Sequence, residues 1–345
     1  MLEKPEIPDD LIACRVQYEY GLQIAQIIYL PLGADANTAV YRLITKAETA
    51  YFLKLRNGAF DEISVTLPKW LSSKGVKAII APLETRGGQL WGNLDSYKMI
   101  LYAFIQGKNG YEVRLSRQQW LDFGTAIKQV HAAKIPIELR QKIPRETYSP
   151  RWRKMVKDFQ SQVEKADFSD PIAANLAGFM RSRRREISHI VARADLLGPA
   201  LASRASEFVL CHADIHPGNL LIPVEDDGKS TGLYIVDWDN PILAPKEHDL
   251  TLIGGCHSWK EPGQTSLFYQ GYASDPDFER NRVDRMVLAY YRYERIIQDI
   301  AAFCEQLLST DEGGEDREQG YQYFTSIFLP GHELALAVNT EKAID

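Results

Sequence analysis

Two apolar runs joined by a polar turn, with polar residues at both outer ends, constrain this chain more than any other stretch. Leu220-Leu221-Ile222 and Leu233-Tyr234-Ile235-Val236 flank Glu225-Asp226-Asp227-Gly228, whose Asp-Gly step is a hairpin signal. Pairing the two runs folds Asn219, just before the first, back beside Asp237, just after the second. The two are 18 residues apart in sequence. Upstream, the short apolar run Phe208-Val209-Leu210-Cys211 reads as a strand leading into His212-Ala213-Asp214-Ile215-His216-Pro217-Gly218-Asn219. Downstream stands Asp237-Trp238-Asp239.

These residue types at this spacing suit phosphoryl transfer from a nucleotide to a hydroxyl. That reaction needs a carboxylate to orient the hydroxyl and accept its proton, oxygen ligands for Mg²⁺, and a cation to steady the triphosphate. Asp214 can serve as the carboxylate, and Asn219 and Asp237 offer the hard oxygens that Mg²⁺ prefers. An Asp, an Asn five residues on, and a second Asp after a hairpin follow the order of protein-kinase-like catalytic loops. An isolated His-x-Asp would more simply satisfy a turn after a strand. The four features in sequence favour the chemical role, with His212 as support.

Three strand-like runs open the chain, Gln26–Leu30, Ala39–Ile44 and Tyr51–Leu55. The turn between the first two, Gly33-Ala34-Asp35-Ala36-Asn37-Thr38, can cover phosphates with backbone N–H groups, which makes Gly33 and Asn37 candidates. Its single glycine makes it a weak motif alone. Lys54 lies between Leu53 and Leu55, and an unpaired ammonium facing a core would be costly. A triphosphate on the cleft side resolves that cost, while the simpler alternative is a lysine facing solvent. Glu62, at the start of an expected helix to Ser73, is the expected partner of Lys54, although Pro68 is awkward inside that helix. Tyr97–Ile105 is the last strand of this part, and the polar stretch after it is the hinge, where Ala103 and Ile105 are placed to meet the base through their backbone.

Further on, Ser116-Arg117-Gln118-Gln119 is a capping-box signal, and Trp120, Phe123, Ile127 and Val130 fall on one face of the helix it starts. His131, which ends this helix, reads as a core or capping histidine. Residues 150–200 read as helical and basic, with a solvated face. Asp249 follows two prolines, where it can cap a helix, accept hydrogen bonds from the catalytic loop, or both. The last long helix is expected over Val283–Leu308. On it, Glu294 either pairs with Arg292 or Arg295 or faces a polar cleft. Asp239, Glu294 and Asp299 are the candidates for contact with a cationic substrate.

Composition narrows the partners. The 345 residues are 45% hydrophobic and 25% charged, an ordinary globular balance. No apolar run is long enough to span a membrane, and the N-terminus lacks the apolar core of a signal peptide, so a cytoplasmic protein without a membrane partner is expected. Four scattered cysteines, three of them in apolar surroundings, read as reduced core thiols. The net charge of −6 is uneven: residues 241–345 carry 18 Asp and Glu against 9 Lys and Arg, which leaves the first 240 at +3. That acidity argues against nucleic acid and suits a cationic small substrate, unless it is only solvated surface. Asp311–Asp316 reads as such a surface loop. The oligomeric state stays open.

The chain resembles the aminoglycoside phosphotransferase family along nearly its whole length. The likeness rests on Phe52–Leu55, the helix ending at His131, His212–Asn219, Ile235–Asp239 and Asp249. Within the family it looks like the spectinomycin phosphotransferases in Tyr148–Arg153, Ala244–Leu250 and Tyr290–Ala301. The resemblance implies an α+β, protein-kinase-like bilobal fold, with an N-terminal antiparallel β-sheet lobe and a mainly helical C-terminal lobe. It implies a nucleotide-binding lobe over 1–103 and a catalytic, substrate-binding lobe over 104–345. It also implies Asp214 as catalytic base, Asn219 and Asp237 on Mg²⁺, Lys54 on the phosphates of ATP or GTP, and spectinomycin or a related aminoglycoside as acceptor, hence antibiotic resistance. Two departures stand out. Ala213 occupies a position where many relatives have Gly, and Asp237 is followed by Trp-Asp without a protein-kinase activation segment, which speaks against protein substrates. The family also phosphorylates metabolite alcohols such as choline, homoserine and methylthioribose, the alternative acceptor class. A nucleotide-binding pseudokinase-like module is a third possibility, opposed by intact Lys54, Asp214, Asn219 and Asp237.

Overall fold

Alternating apolar residues in the first hundred positions build a five-stranded antiparallel sheet. A computed structural model describes residues 4–32, 37–204, 206–224, 232–254, 259, 263–273, 282–309 and 314–343. The chain packs as two compact units, one of residues 1–143 with 217–241, the other of residues 144–216 with 242–345.

In the first unit, β1 (Ile24–Leu30), β2 (Thr38–Thr45), β3 (Ala50–Asn57), β4 (Gly92–Leu94) and β5 (Tyr97–Ala103) pair in the order β1-β2-β3-β5-β4. The side-chain period of two puts Tyr41, Leu43, Leu53, Leu55, Met99 and Leu101 into one core. Helix α1 (Asp9–Tyr20) covers that core with Ile12 and Val16, and each such buried side chain contributes about 1.5–3 kcal/mol. Gly21 ends α1 at φ 73°, a left-handed conformation that glycine adopts without strain. Lys54 falls on the opposite face, in register with Val40 and Ile100.

Helix α2 (Ile63–Ser73) runs through Pro68 despite the missing N–H. Ile63, Leu67, Pro68 and Leu71 are all buried, and burial outweighs one lost helical hydrogen bond. Helix α3 (Arg117–His131) starts at the expected capping box: Gln119 N–H donates to the Ser116 hydroxyl, and Ser116 N–H to the Gln119 side chain at 2.8 Å. Trp120, Phe123, Ile127, Val130 and His131 are buried. A short helix, α4 (Ile137–Arg140), follows. The unit also holds a three-stranded sheet of β6 (Gly107–Asn109), β8 (Leu220–Pro223) and β9 (Tyr234–Ile235), in the order β6-β8-β9.

The second unit is mainly helical. Helices α5 (Arg151–Lys165), α6 (Pro171–Ser182), α7 (Arg184–Ala202), α9 (Arg285–Leu308), α10 (Gly314–Ser326) and α11 (Glu333–Lys342) share one apolar core. Helix α8 covers Gln264–Ala273, and a two-stranded ladder pairs β7 (Val209–Cys211) with β10 (Ile242–Ala244). Helix starts follow capping chemistry: Asp170 accepts from Ala173 N–H at 2.7 Å with Pro171 at the first helical position, and Asp284 accepts from Met286 N–H at 3.0 Å.

Three expectations need correction. Gly314–Asp316 are not loop but the start of α10, a position where acidic residues favour the helix dipole, while 311–313 lie outside the described residues. Asp249 does not cap a following helix; it closes the 3₁₀ turn Lys246–His248. Cys211 and Cys304 are buried thiols, but Cys14 is exposed on α1. Cys256 lies outside the described residues. Among the described residues, no helix is long and apolar enough to cross a membrane.

Candidate active site

In the first unit, strand periodicity brings Lys54 and Arg56 to one face of β3. Lys54 Nζ donates to Asp239 Oδ2 at 2.8 Å and lies 3.4 Å from Asp237 Oδ1. Arg56 donates to the same Asp239 oxygen at 2.6 Å. The cost of a lysine inside an apolar strand is thus offset by carboxylates. The expected Lys54–Glu62 pair is not formed. Glu62 sits at the N-terminus of α2 with its half-exposed carboxylate 3.6 Å from Lys142. Asp239, expected to meet substrate, instead joins two cations.

The β8–β9 ladder delivers the hairpin geometry read from the sequence. Leu220 pairs with Ile235, and Val236 N–H donates to the Asn219 carbonyl at 3.0 Å, so Asn219 and the residue before Asp237 are backbone neighbours. The turn itself, 225–231, lies outside the described residues. Asn219 is buried, whereas the Asp237 carboxylate is half exposed. Asp237 has φ 65°, in the left-handed region that L-residues seldom adopt, and such strain gathers at functional positions. Trp238 anchors the turn after it, its indole N–H donating to the Ile235 carbonyl at 3.0 Å. An exposed carboxylate and an amide on one hairpin form an all-oxygen donor set, which fits Mg²⁺.

Of the other nucleotide-side expectations, Gly33 lies outside the described residues. Asn37 accepts from Asn57 N–H at 2.8 Å through its carbonyl. Ala103 ends β5 opposite Tyr51 and is exposed, and Ile105 is half-buried in the link to β6. Close by, Gly107 must be glycine, because a Cβ there would lie 2.6 Å from the Ile222 carbonyl oxygen.

In the second unit, the loop after β7 carries Asp214. Ala213 has φ 75°. The Asp249 carboxylate holds this bend by accepting from His212 N–H and Ala213 N–H, each at 2.8 Å. His212 is fully buried, and its Nδ1 accepts from Asp214 N–H at 3.3 Å. The Asp214 side chain meets two cationic or donor groups: Arg295 Nη1 donates to Oδ1 at 2.7 Å, and His216 Nε2 lies 3.4 Å from Oδ2. Burial alone would raise this carboxyl, but the His216 hydrogen bond and the Arg295 charge hold it well below the usual carboxylate range. Arg295 also pairs with Asp299 at 3.1 Å.

Glu294 is buried and paired with Arg153, not with Arg292 or Arg295. Arg153 further pairs with Asp195 at 3.0 Å, while Arg292 donates to the carbonyls of Thr251 and Ile253 and to the Thr340 hydroxyl. A cavity of about 30 Å³, room for one water, is lined by Ala213 and Ile215 of the loop and by Tyr291, Glu294, Arg295 and Gln298 of α9. Sequence reasoning missed Arg56, His216 and Arg295 as site groups. For Arg56 the signal was present, two residues beyond Lys54 on the same strand face.

A kinase-like fold carrying this set of groups defines a small-molecule kinase that phosphorylates hydroxyl groups. Residues 28–284 match the phosphotransferase enzyme family, APH, and the chain belongs to it. It is similar to the crystal structure of spectinomycin phosphotransferase APH(9)-Ia in complex with ADP and spectinomycin, at 34% identity and TM-score 0.87 over 98% of this chain and 99% of that one. The AMP-bound complex of the same enzyme gives 32% identity and TM-score 0.83 over 96% and 98% of the two chains. An aminoglycoside phosphotransferase from Alicyclobacillus acidocaldarius, at 13% identity and TM-score 0.60 over 99% and 95%, shares the fold. No curated protein sequence matches the chain.

Proposed function

We propose that the chain transfers the γ-phosphate of ATP or GTP to a hydroxyl of spectinomycin or a related aminocyclitol. The observation that carries this is the 34% identity over 98% of the chain to an enzyme crystallised with ADP and spectinomycin. Asp214 is the base that orients the acceptor hydroxyl and takes its proton, a role suited to a carboxylate kept ionised by Arg295 and His216. Asn219 and Asp237 would hold Mg²⁺, which when bound offsets phosphate charge. Lys54 and Arg56 are the cations for the phosphates, and both donate to Asp239. Residues 1–103, with Gly33, Asn37, Ala103 and Ile105, serve the nucleotide, and 104–345 serve catalysis and the acceptor. Glu62 is half-exposed and pairs elsewhere, so its part in the nucleotide site is secondary. A cytoplasmic enzyme conferring antibiotic resistance fits this chemistry.

The test is an ADP-release assay with MgATP and MgGTP over spectinomycin, kanamycin, choline, homoserine and methylthioribose. Phosphorylation of spectinomycin, with raised spectinomycin tolerance and unchanged kanamycin tolerance in a sensitive bacterium, is the expected result. Transfer to choline or another metabolite alcohol with none to spectinomycin would overturn the acceptor assignment. Tight nucleotide binding without transfer to any acceptor would point to a pseudokinase.

A further inference from the structure

We propose that Arg295, held by Asp299, is the positioning residue of phosphoryl transfer: it fixes the direction of the Asp214 carboxylate from the rigid helix α9. The inference rests on Asp214 being the base.

The loop that bears Asp214 is fastened through its backbone. Asp249 accepts from His212 N–H and Ala213 N–H, and this sets where the Asp214 Cα stands. Those two bonds do not reach the Asp214 carboxylate, whose side chain is 40% exposed. A base that rotates away from the acceptor loses most of its value, because a misplacement of about 1 Å costs on the order of a hundredfold in rate.

Arg295 supplies what the backbone cannot. Its Nη1 reaches Asp214 Oδ1 at 2.7 Å, while its Nε binds Asp299 at 3.1 Å. The guanidinium is a planar fork, so fixing one edge fixes the direction of the other. Arg295 and Asp299 are four residues apart on one helix and face the same way. Asp299 therefore sets the guanidinium plane, and the plane sets the carboxylate. Lysine, a point charge on a flexible stem, would keep the charge and lose the plane.

The arrangement gives the two oxygens of Asp214 different partners. Oδ1 is committed to Arg295. Oδ2 lies 3.4 Å from His216 Nε2. On transfer, the acceptor O–H bond breaks and its proton goes to the Asp214 carboxylate. The oxygen's electron pair forms the bond to phosphorus, and the nucleoside diphosphate leaves with the electrons of the broken P–O bond. Arg295 touches neither acceptor nor phosphate in this scheme.

The experiment compares wild type with Arg295→Gln, Arg295→Lys, Asp299→Asn, Asp214→Asn and the Arg295→Gln/Asp214→Asn double variant. Turnover is read with MgATP plus spectinomycin, and with MgATP alone, where water is the acceptor. Arg295→Gln should lower kcat about 10- to 100-fold in both assays and leave KM for MgATP within about twofold. Arg295→Lys should recover part of the loss, and Asp299→Asn should show a smaller loss of the same kind. In the Asp214→Asn background, Arg295→Gln should cost nothing more, because the carboxylate it aims is gone. If Arg295→Gln does not fold, Asp299→Asn carries the test alone, and wild-type kcat there overturns the proposal. A folded Arg295→Gln with kcat within twofold of wild type overturns it, as does an equal loss with and without Asp214. Full activity in Asp214→Asn would instead bring down the base assignment itself. An inactive Asp214→Asn beside an active Arg295→Gln brings down only the positioning role.

Discussion

One backbone position in each unit sits where L-residues are strained, Asp237 at φ 65° in the first and Ala213 at φ 75° in the second. For Ala213 the left-handed conformation costs about 1–2 kcal/mol, and a glycine there would return about 0.5–1 kcal/mol of that to the more flexible unfolded chain. Ala213→Gly is therefore expected to raise stability by up to about 1 kcal/mol, while Ala213→Val should lower it; thermal unfolding of the three proteins checks the order. Asp214 is the other residue whose surroundings make a definite claim. Its replacement by Asn should lower turnover about 10²–10⁴-fold with MgATP affinity nearly unchanged, and near-normal turnover would remove it as the base. Its titration has a definite sign. The folded carboxyl lies below its ordinary 3.8, so its stabilising contribution is complete above that value and is lost as pH falls through the lower folded one. The stability gap between wild type and Asp214→Asn should be flat above about pH 5 and shrink in more acidic solution. Urea midpoints from pH 6 to pH 3 read this out, and a gap that widens on acidification would contradict it.

At the scale of elements, what the sequence shows is what local periodicity can encode. The strand-like runs 39–44 and 51–55 predict β2 and β3, Ser116 and Gln119 predict the start of α3, and the Asn219–Asp237 hairpin follows from two apolar runs around a turn. Which charged side chains meet is set by tertiary packing and has no local signature. Lys54 and Asp239 are 185 residues apart in the chain, and Arg295 and Asp214 are 81 apart. Proximity along the chain favours Glu62 as the partner of Lys54, yet Lys54 points toward Asp237 and Asp239 after β9 and not toward the start of α2. Glu294 shows the same limit: α9 turns it toward Arg153 of α5, whose side chain is 2% exposed. Such a buried pair is weak evidence of stability, but breaking one half leaves a charge with no partner. Arg153→Met is expected to cost about 3–5 kcal/mol, and adding Glu294→Gln should recover much of it. Urea unfolding of the single and double variants decides this, and a loss below about 1 kcal/mol in Arg153→Met would show that Glu294 finds another partner.

For the whole molecule, uneven charge and divided labour make separate claims. The −9 balance of residues 241–345 favours a cationic acceptor, yet the two carboxylates there that sequence analysis offered for contact are already neutralised, Glu294 by Arg153 and Asp299 by Arg295. Attraction by the acidic surface at large is screened beyond about 8–10 Å at physiological salt. Binding of spectinomycin is accordingly expected to weaken only mildly between low and physiological salt. The division of labour predicts something sharper. The groups proposed for Mg²⁺ and phosphate, Asn219, Asp237 and Lys54, belong to the unit formed by residues 1–143 and 217–241, and the proposed base belongs to the other. A lone Asn219 cannot hold Mg²⁺ against water, which surrenders its ligands only to several hard oxygens. Asp237→Ala should thus abolish Mg²⁺-dependent nucleotide binding and leave the affinity for spectinomycin within a few-fold of wild type, whereas Asp214→Asn should leave MgATP binding intact. Calorimetric titration of MgATP and of spectinomycin into each variant separates the two effects. Equal MgATP affinities in wild type and Asp237→Ala would remove the metal assignment, and loss of both ligands in both variants would show that the roles are not divided in this way.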